Sequence, residues 1–181
     1  PRWHEAWDNN PRIARGHEPG DFQQLIARAN GLRPYAAAKT ERAWTWQAWD
    51  PGERRGELYF SGAELAFGAA HAGLVILEPS LKAGASPAKQ WGPARWRQLA
   101  DLARRAGIVF AQLGAYRSAL LPGARWVCTP TMRLAAAAIA RARAIVVHEG
   151  AMHHVAAATG TPAVVIFGGY IAPAVTGYPE Q

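Results

Sequence analysis

The chain has 181 residues, half of them hydrophobic, a net charge of +7 and a single cysteine, Cys128. That length fits one full domain, or one domain with a piece of another, and carries enough apolar surface for a packed core. One cysteine excludes an internal disulfide and a cysteine-based metal cluster, which suits a reducing cytoplasm, and no apolar run approaches the ~20 residues of a membrane span.

The sequence opens Pro1-Arg2-Trp3-His4-Glu5, with neither an initiator Met nor the apolar stretch of a signal peptide, so the natural N-terminus is expected further upstream. Residues 1–70 hold nine Lys/Arg and nine Asp/Glu, and five of the eight Trp: Trp3, Trp7, Trp44, Trp46 and Trp49. A short helix is predicted over Asp21–Asn30, capped by Asp21 and ended by Gly31. Leu58–Phe60 reads as a short strand. The stretch has no strand–helix rhythm and reads as the end of one domain and a connection.

From Leu74 the pattern changes. Leu74–Leu77 is a short apolar run of the kind buried on both faces of a sheet. A helix is predicted over Pro93–Ala106, with Pro93 at its first position, Trp96, Leu99, Leu102, Ala103 and Ala106 on one face, and Gly107 ending it. Ile108–Leu113 and Trp126–Cys128 read as strands, and Thr129-Pro130 opens an Ala-rich helix reaching about Ala142. Ala144–Val147 is a strand, Ala151–Thr159 a helix closed by Gly160, and Ala163–Phe167 a strand. Alternation of this kind implies a Rossmann-like α/β fold, a parallel sheet flanked by helices, with ligands at the C-terminal strand ends. All of the +7 falls here: residues 71–181 hold eleven Lys/Arg against four Asp/Glu. A basic domain fits an anionic partner such as nucleic acid, a nucleotide diphosphate or an anionic membrane surface, and equally an Arg-rich solvated face.

Three loops invite chemistry. The one after the first of these strands, 78–91, brings Ser80, Ser86, Lys82 and Lys89 ahead of a helix N-terminus, good material for an anion site. It is no Walker loop, because Gly84 to Lys89 lacks the second Gly before Lys and the hydroxyl residue after it. A solvated connection explains it too. The second, His148-Glu149-Gly150-Ala151-Met152-His153-His154, resembles a zinc helix only superficially: Met152 stands where the second His is needed, and Gly150 favours a strand-to-helix turn. No metal site is expected. Backbone amides at Gly150–His153, with the His153 imidazole, could instead hold a phosphate or ribose; a His satisfied by local backbone is the plainer reading, and holds for His154, while Met152 and Val155 read as core. The third is Gly168-Gly169, where a ligand or another backbone can approach closely.

Taken together, the segments resemble the C-terminal domain of glycosyltransferase family 9, the heptosyltransferases. The resemblance covers about residues 74–178 and rests on Lys89-Gln90-Trp91-Gly92-Pro93 opening a helix with Trp96, on Ile145 to His153, and on Gly160-Thr161-Pro162 before the apolar run 163–167 and Gly168. Trp7 to Ile13 is similar to an Asn-Pro segment late in the family's N-terminal domain. The resemblance implies a GT-B enzyme, with 1–70 the tail of a truncated acceptor-side domain and linker and 71–181 the nucleotide-sugar-binding domain. It implies Lys89 on donor phosphate or sugar and Gly150, Ala151, Met152 and His153 on the diphosphate; Ser80, His148, Glu149 and Gly168 complete the expected donor site. Where the family has Asp and Thr this sequence has His148 and Glu149, which puts ADP-heptose itself in question but not a nucleotide-sugar donor. The family's catalytic Asp belongs to a Gly-rich loop near the start of the N-terminal domain; no counterpart precedes Trp3, so no catalytic base is assigned.

The expected reaction is transfer of a sugar from a nucleotide-diphosphate sugar (ADP-heptose or related) to a cell-envelope glycan such as lipopolysaccharide core. No cofactor or metal is expected, the location is cytoplasmic with possible peripheral contact with the inner membrane, and nucleic acid is not an expected partner. A nucleotide-sugar 2-epimerase and a non-catalytic nucleotide-binding domain are the alternatives. RNA binding through the basic half is less attractive because most Trp lie in the neutral half.

Overall fold

The computed structural model of the chain describes residues 4–15, 36–39, 44–46, 55–116 and 120–179. The helix expected over Asp21–Asn30 lies outside the described residues. An antiparallel pair that the sequence did not announce, β1 (Ala36–Lys39) and β2 (Trp44–Trp46), comes first. The main sheet is all-parallel. It comprises β3 (Val75–Glu78), β4 (Phe110–Gly114), β5 (Arg125–Cys128), β6 (Ala144–His148) and β7 (Ala163–Ile166), in the order β5-β4-β3-β6-β7.

Helices cover both faces, which is why most positions in these strands are apolar. On one face, Ile76, Ala111, Leu113, Ile145 and Val147 pack with α1 (Gly62–Ala69), α3 (Met132–Ile139) and α4 (Ala151–Thr159). On the other, Leu77, Phe110, Val75 and Val146 pack with α2 (Pro93–Arg105). Successive residues of β3 and β6 alternate between the two layers, the period of a pleated strand. A one-turn helix, α5 (Pro173–Thr176), follows β7.

Several expectations change. The buried face of α2 is Trp96, Ala100 and Ala103, while Leu102 is 55% exposed; at 100° per residue, Leu102 points well away from Trp96 and Ala103 does not. The alanine helix is shorter than expected. It starts at Met132, with Thr131 accepting from the Leu134 amide at 3.2 Å, and ends at Ile139. Residues 58–60 form no strand. Leu58 and Phe60 pack onto the core from an irregular segment, and the Tyr59 carbonyl is taken by a side chain instead of a neighbouring strand.

That side chain is Arg133, 5% exposed on α3. Its guanidinium meets Glu64 through two bonds, Nε–Oε1 at 2.6 Å and Nη2–Oε2 at 2.7 Å, and donates to the carbonyls of Tyr59 (2.5 Å), Glu5 (2.9 Å) and Asp8 (3.4 Å). Glu64 also closes a capping box with Ser61 at the start of α1. The Arg133 hydrogen bonds hold the Glu64 carboxyl down at about 2, against an ordinary 4.5. One residue thereby joins α1, α3 and the segment 4–15. Nearby, α1 crosses α3 so closely that a Cβ on Gly68 would stand 2.4 Å from the Ala137 carbonyl oxygen.

Candidate functional site

In this strand order β3 has β4 on one side and β6 on the other, so the chain reverses its direction of winding there, and the crevice for a ligand opens beyond the C-terminal ends of β3 and β6. Buried polar groups gather at that place. Glu78 ends β3, is 5% exposed and accepts the Ser80 amide at 3.0 Å. Burial pushes its carboxyl up.

His148 ends β6 and is also buried. Its Nε2 accepts two bonds from the opposing loop, the Trp91 amide at 3.1 Å and the Trp96 indole Nε1 at 3.3 Å. An atom accepting two donors carries no proton, so the ring is neutral with its hydrogen on Nδ1. Among the described residues Nδ1 has no hydrogen-bond partner. Burial lowers the His148 pKa, consistent with this state. The rings of Trp91 and Trp96 meet edge-on at 5.3 Å, and those of Trp96 and His148 at 5.1 Å.

The next residue, Glu149, makes a short ion pair with Lys89; the two side chains are 5% and 15% exposed. Lys89 Nζ lies 4.8 Å from the centre of the Tyr170 ring. The ammonium expected to face a phosphate is therefore already matched by a largely buried carboxylate. Gly168, just beyond β7, touches the same loop: a Cβ there would stand 2.2 Å from the Ala88 carbonyl oxygen and 2.8 Å from the Lys89 carbonyl carbon. Lys89, His148, Glu149 and Gly168 thus come together.

Glu149 leads into α4, whose N-cap is Gly150 and which has no side-chain cap, leaving its start suited to an anion. Of the other expected residues, Ala151 is exposed on that first turn, and Met152 packs against the core. His153 is wholly buried. Its ring stacks on His154 at 4.9 Å and meets Tyr178 at 5.1 Å and Phe167 at 5.8 Å, walling a largely apolar groove of about 460 Å³ with Val165 and Pro173. Phe167 on His153 and Gly168 on Lys89 are consecutive, so both meet the end of β7. His154 bonds the Tyr178 hydroxyl at 2.8 Å through Nδ1. Ser80 is exposed, with its amide on the Glu78 carboxylate. Among the described residues no group of three or more His, Cys, Asp or Glu is placed to hold a metal ion.

The sequence reading missed Glu78 and the roles of Trp91, Trp96 and Tyr178. A signal existed for Trp96, since a buried indole N–H needs an acceptor.

The model of glycosyltransferase family 9 (heptosyltransferase) matches residues 63–177. The chain belongs to glycosyltransferase family 9. It shares its fold with an ADP-heptose LPS heptosyltransferase II from E. coli, at 23% identity and a TM-score of 0.51, over 67% of this chain and 42% of that one. A family 9 glycosyl transferase from Veillonella parvula aligns over 61% of this chain and 36% of that one, at 16% identity and a TM-score of 0.49. No curated protein matches the chain. This family 9 chain therefore spans less than half the length of the E. coli heptosyltransferase it aligns with. No helix among the described residues is long and apolar enough to cross a membrane.

Proposed function

We propose that this family 9 chain is the donor-binding part of a GT-B glycosyltransferase that moves a sugar from a nucleotide-diphosphate sugar, ADP-heptose or a relative, to a cell-envelope glycan such as lipopolysaccharide core. The observation that carries this is the side-by-side placement of Lys89 with Glu149 and the uncapped start of α4 at the crevice between β3 and β6. Departure of the nucleotide diphosphate builds negative charge on its leaving oxygen. In this reading the Lys89 ammonium and the amides of Gly150 to His153 meet that charge, without a metal ion or other cofactor. His153 shapes the groove beside them. Ser80 stands at the entrance, while His148 and Gly168 hold the Lys89 loop in place. The general base comes from the acceptor-side domain, of which residues 1–70 are the end, and 71–181 form the nucleotide-sugar domain. The enzyme works in the cytoplasm, on the inner face of the cytoplasmic membrane.

A second reading, a nucleotide-binding module without catalysis, is favoured by the Glu149 carboxylate already bound to Lys89. Calorimetric titration of the chain with ADP-, UDP-, GDP- and CMP-linked sugars tests both. Binding to one nucleotide class is expected. Binding to none, with the fold intact by circular dichroism, rejects both; binding without transfer, once the chain is joined to an acceptor-side domain, selects the second.

A further inference from the structure

The N-terminal edge of the sheet, opposite the crevice, carries features the donor site does not use. Every strand begins there. Arg125 opens β5, and the parallel register of β4 with β5 places it beside Ala111 at the start of β4. Ile108 and Val109 immediately precede β4 and are 39% and 67% exposed. The Val109 carbonyl accepts from the Val75 amide, and the Arg143 amide donates to the Leu74 carbonyl at 2.8 Å. Arg141 is tied in by its own carbonyl, which accepts from the Gly73 amide at 2.9 Å. Arg105 ends α2 above this edge. These four arginines are exposed, and among the described residues none is in an ion pair.

Acids are distributed the other way. Glu78 and Glu149 lie at the C-terminal ends of β3 and β6, Glu64 begins α1, and all three are largely buried. Asp101, one turn before Arg105 on α2, is paired with Arg104. With adjacent strands about 4.8 Å apart, Arg125 and Arg143 stand roughly 15 Å from each other across three strand spacings, with Ile108 and Val109 between them. Unpaired guanidinium groups around exposed aliphatic side chains match a surface that is anionic outside and apolar beneath.

We propose that this edge docks on an anionic lipid bilayer, with Arg105, Arg125, Arg141 and Arg143 on the headgroups and Ile108 and Val109 entering the headgroup–acyl boundary. A nucleic acid would satisfy the arginines but would leave the aliphatic pair in water. No exposed Trp, Tyr or Phe among the described residues stands at this edge to stack on a base, Tyr116 being beyond the far end of β4 and Trp7 on the N-terminal segment. This face gives the membrane location of the proposed function its contact surface and rests on that location; because it needs neither donor nor acceptor, vesicle binding and nucleotide binding fail separately.

The test is co-sedimentation of the chain with vesicles of phosphatidylcholine alone and of phosphatidylcholine with phosphatidylglycerol, beside a fluorescent single-stranded RNA. The chain is expected on the phosphatidylglycerol vesicles only. Reversing two charges in Arg141→Glu/Arg143→Glu lowers the partition coefficient at least about 20-fold, and Val109→Ser lowers it about fivefold. Arg105→Glu/Arg125→Glu, on other elements, repeats the charge test should the first pair fail to fold. No binding to phosphatidylglycerol vesicles overturns the proposal. So does binding that survives both charge reversals, or tight RNA binding that falls with the arginines and ignores Val109→Ser.

Discussion

Replacing Glu64 by Gln removes one charge from the Arg133 junction at almost constant volume. Gln keeps a group able to accept from the Ser61 amide, so the start of α1 is not stripped. What is lost is the ionic partner of a guanidinium that is itself buried. The carboxyl pKa falls from 4.5 to about 2 on folding; at about 1.36 kcal/mol per unit, that difference contributes about 3 kcal/mol at pH 7. The side chains are only 14% and 6% exposed, so water screens the pair little. The sign is that of a depressed acid. The contribution is complete above the unfolded value near 4.5 and is lost as pH falls through about 2. At pH 3 the same linkage leaves about 1.4 kcal/mol, because the unfolded chain is already protonated while the folded one is not. Urea unfolding followed by circular dichroism should show a loss of about 3 kcal/mol for Glu64→Gln at pH 7, shrinking to about half at pH 3. A loss below about 1 kcal/mol at pH 7, or one of the same size at both pH values, would refute the electrostatic account.

Other expectations concern the crevice. Gly168→Ala should displace the Ala88–Lys89 backbone by about 1 Å, seen as chemical-shift changes in the 86–91 loop with the far end of β5 unmoved; unchanged 86–91 shifts would contradict the close contact. His148→Leu strands two buried donors and should cost about 2–4 kcal/mol in urea unfolding, whereas His148→Gln, which can still accept, should cost less than half of that; equal losses would deny Nε2 its acceptor role. Because the His148 pKa is lowered on folding, wild type loses stability as pH falls below 6.5, so His148→Gln should gain on it between pH 7 and pH 5. Glu78 has the opposite sign: its raised pKa makes wild type lose stability as pH rises above 4.5, so Glu78→Gln should be the more stable protein at pH 7 and level with wild type below pH 4. Glu149→Gln releases Lys89 from its carboxylate and should tighten ADP binding about tenfold by calorimetry; weaker binding would place Glu149 on the ligand instead.

The sheet was readable because its strands are apolar on both faces, so runs such as Leu74–Leu77 and Ile145–Val147 stand out against their flanks. The helix over Ala151–Thr159 was legible from Gly150 and Gly160 at its ends. By contrast α1 went unread, although Ser61 and Glu64 have the spacing of a capping box, because its Gly62, Gly68 and alanines give little amphipathic contrast. The Arg133 junction was invisible for a different reason. Besides Glu64, its partners are backbone carbonyls at residues 5, 8 and 59, and a carbonyl leaves no mark in the identity of its residue. At the crevice, residue types named Lys89 and the 148–153 loop. They did not reveal that Glu149 would face Lys89, since a contact across 60 positions depends on strand order, which periodicity does not fix.

Gly168 has a mechanical consequence. With the Ala88 carbonyl occupying the space a side chain would need, the connection leaving β3 and the connection leaving β7 behave as one stiff body. A ligand pressing on Tyr170 or Phe167 therefore moves Lys89 as well, and any closing of the crevice has to carry both walls together.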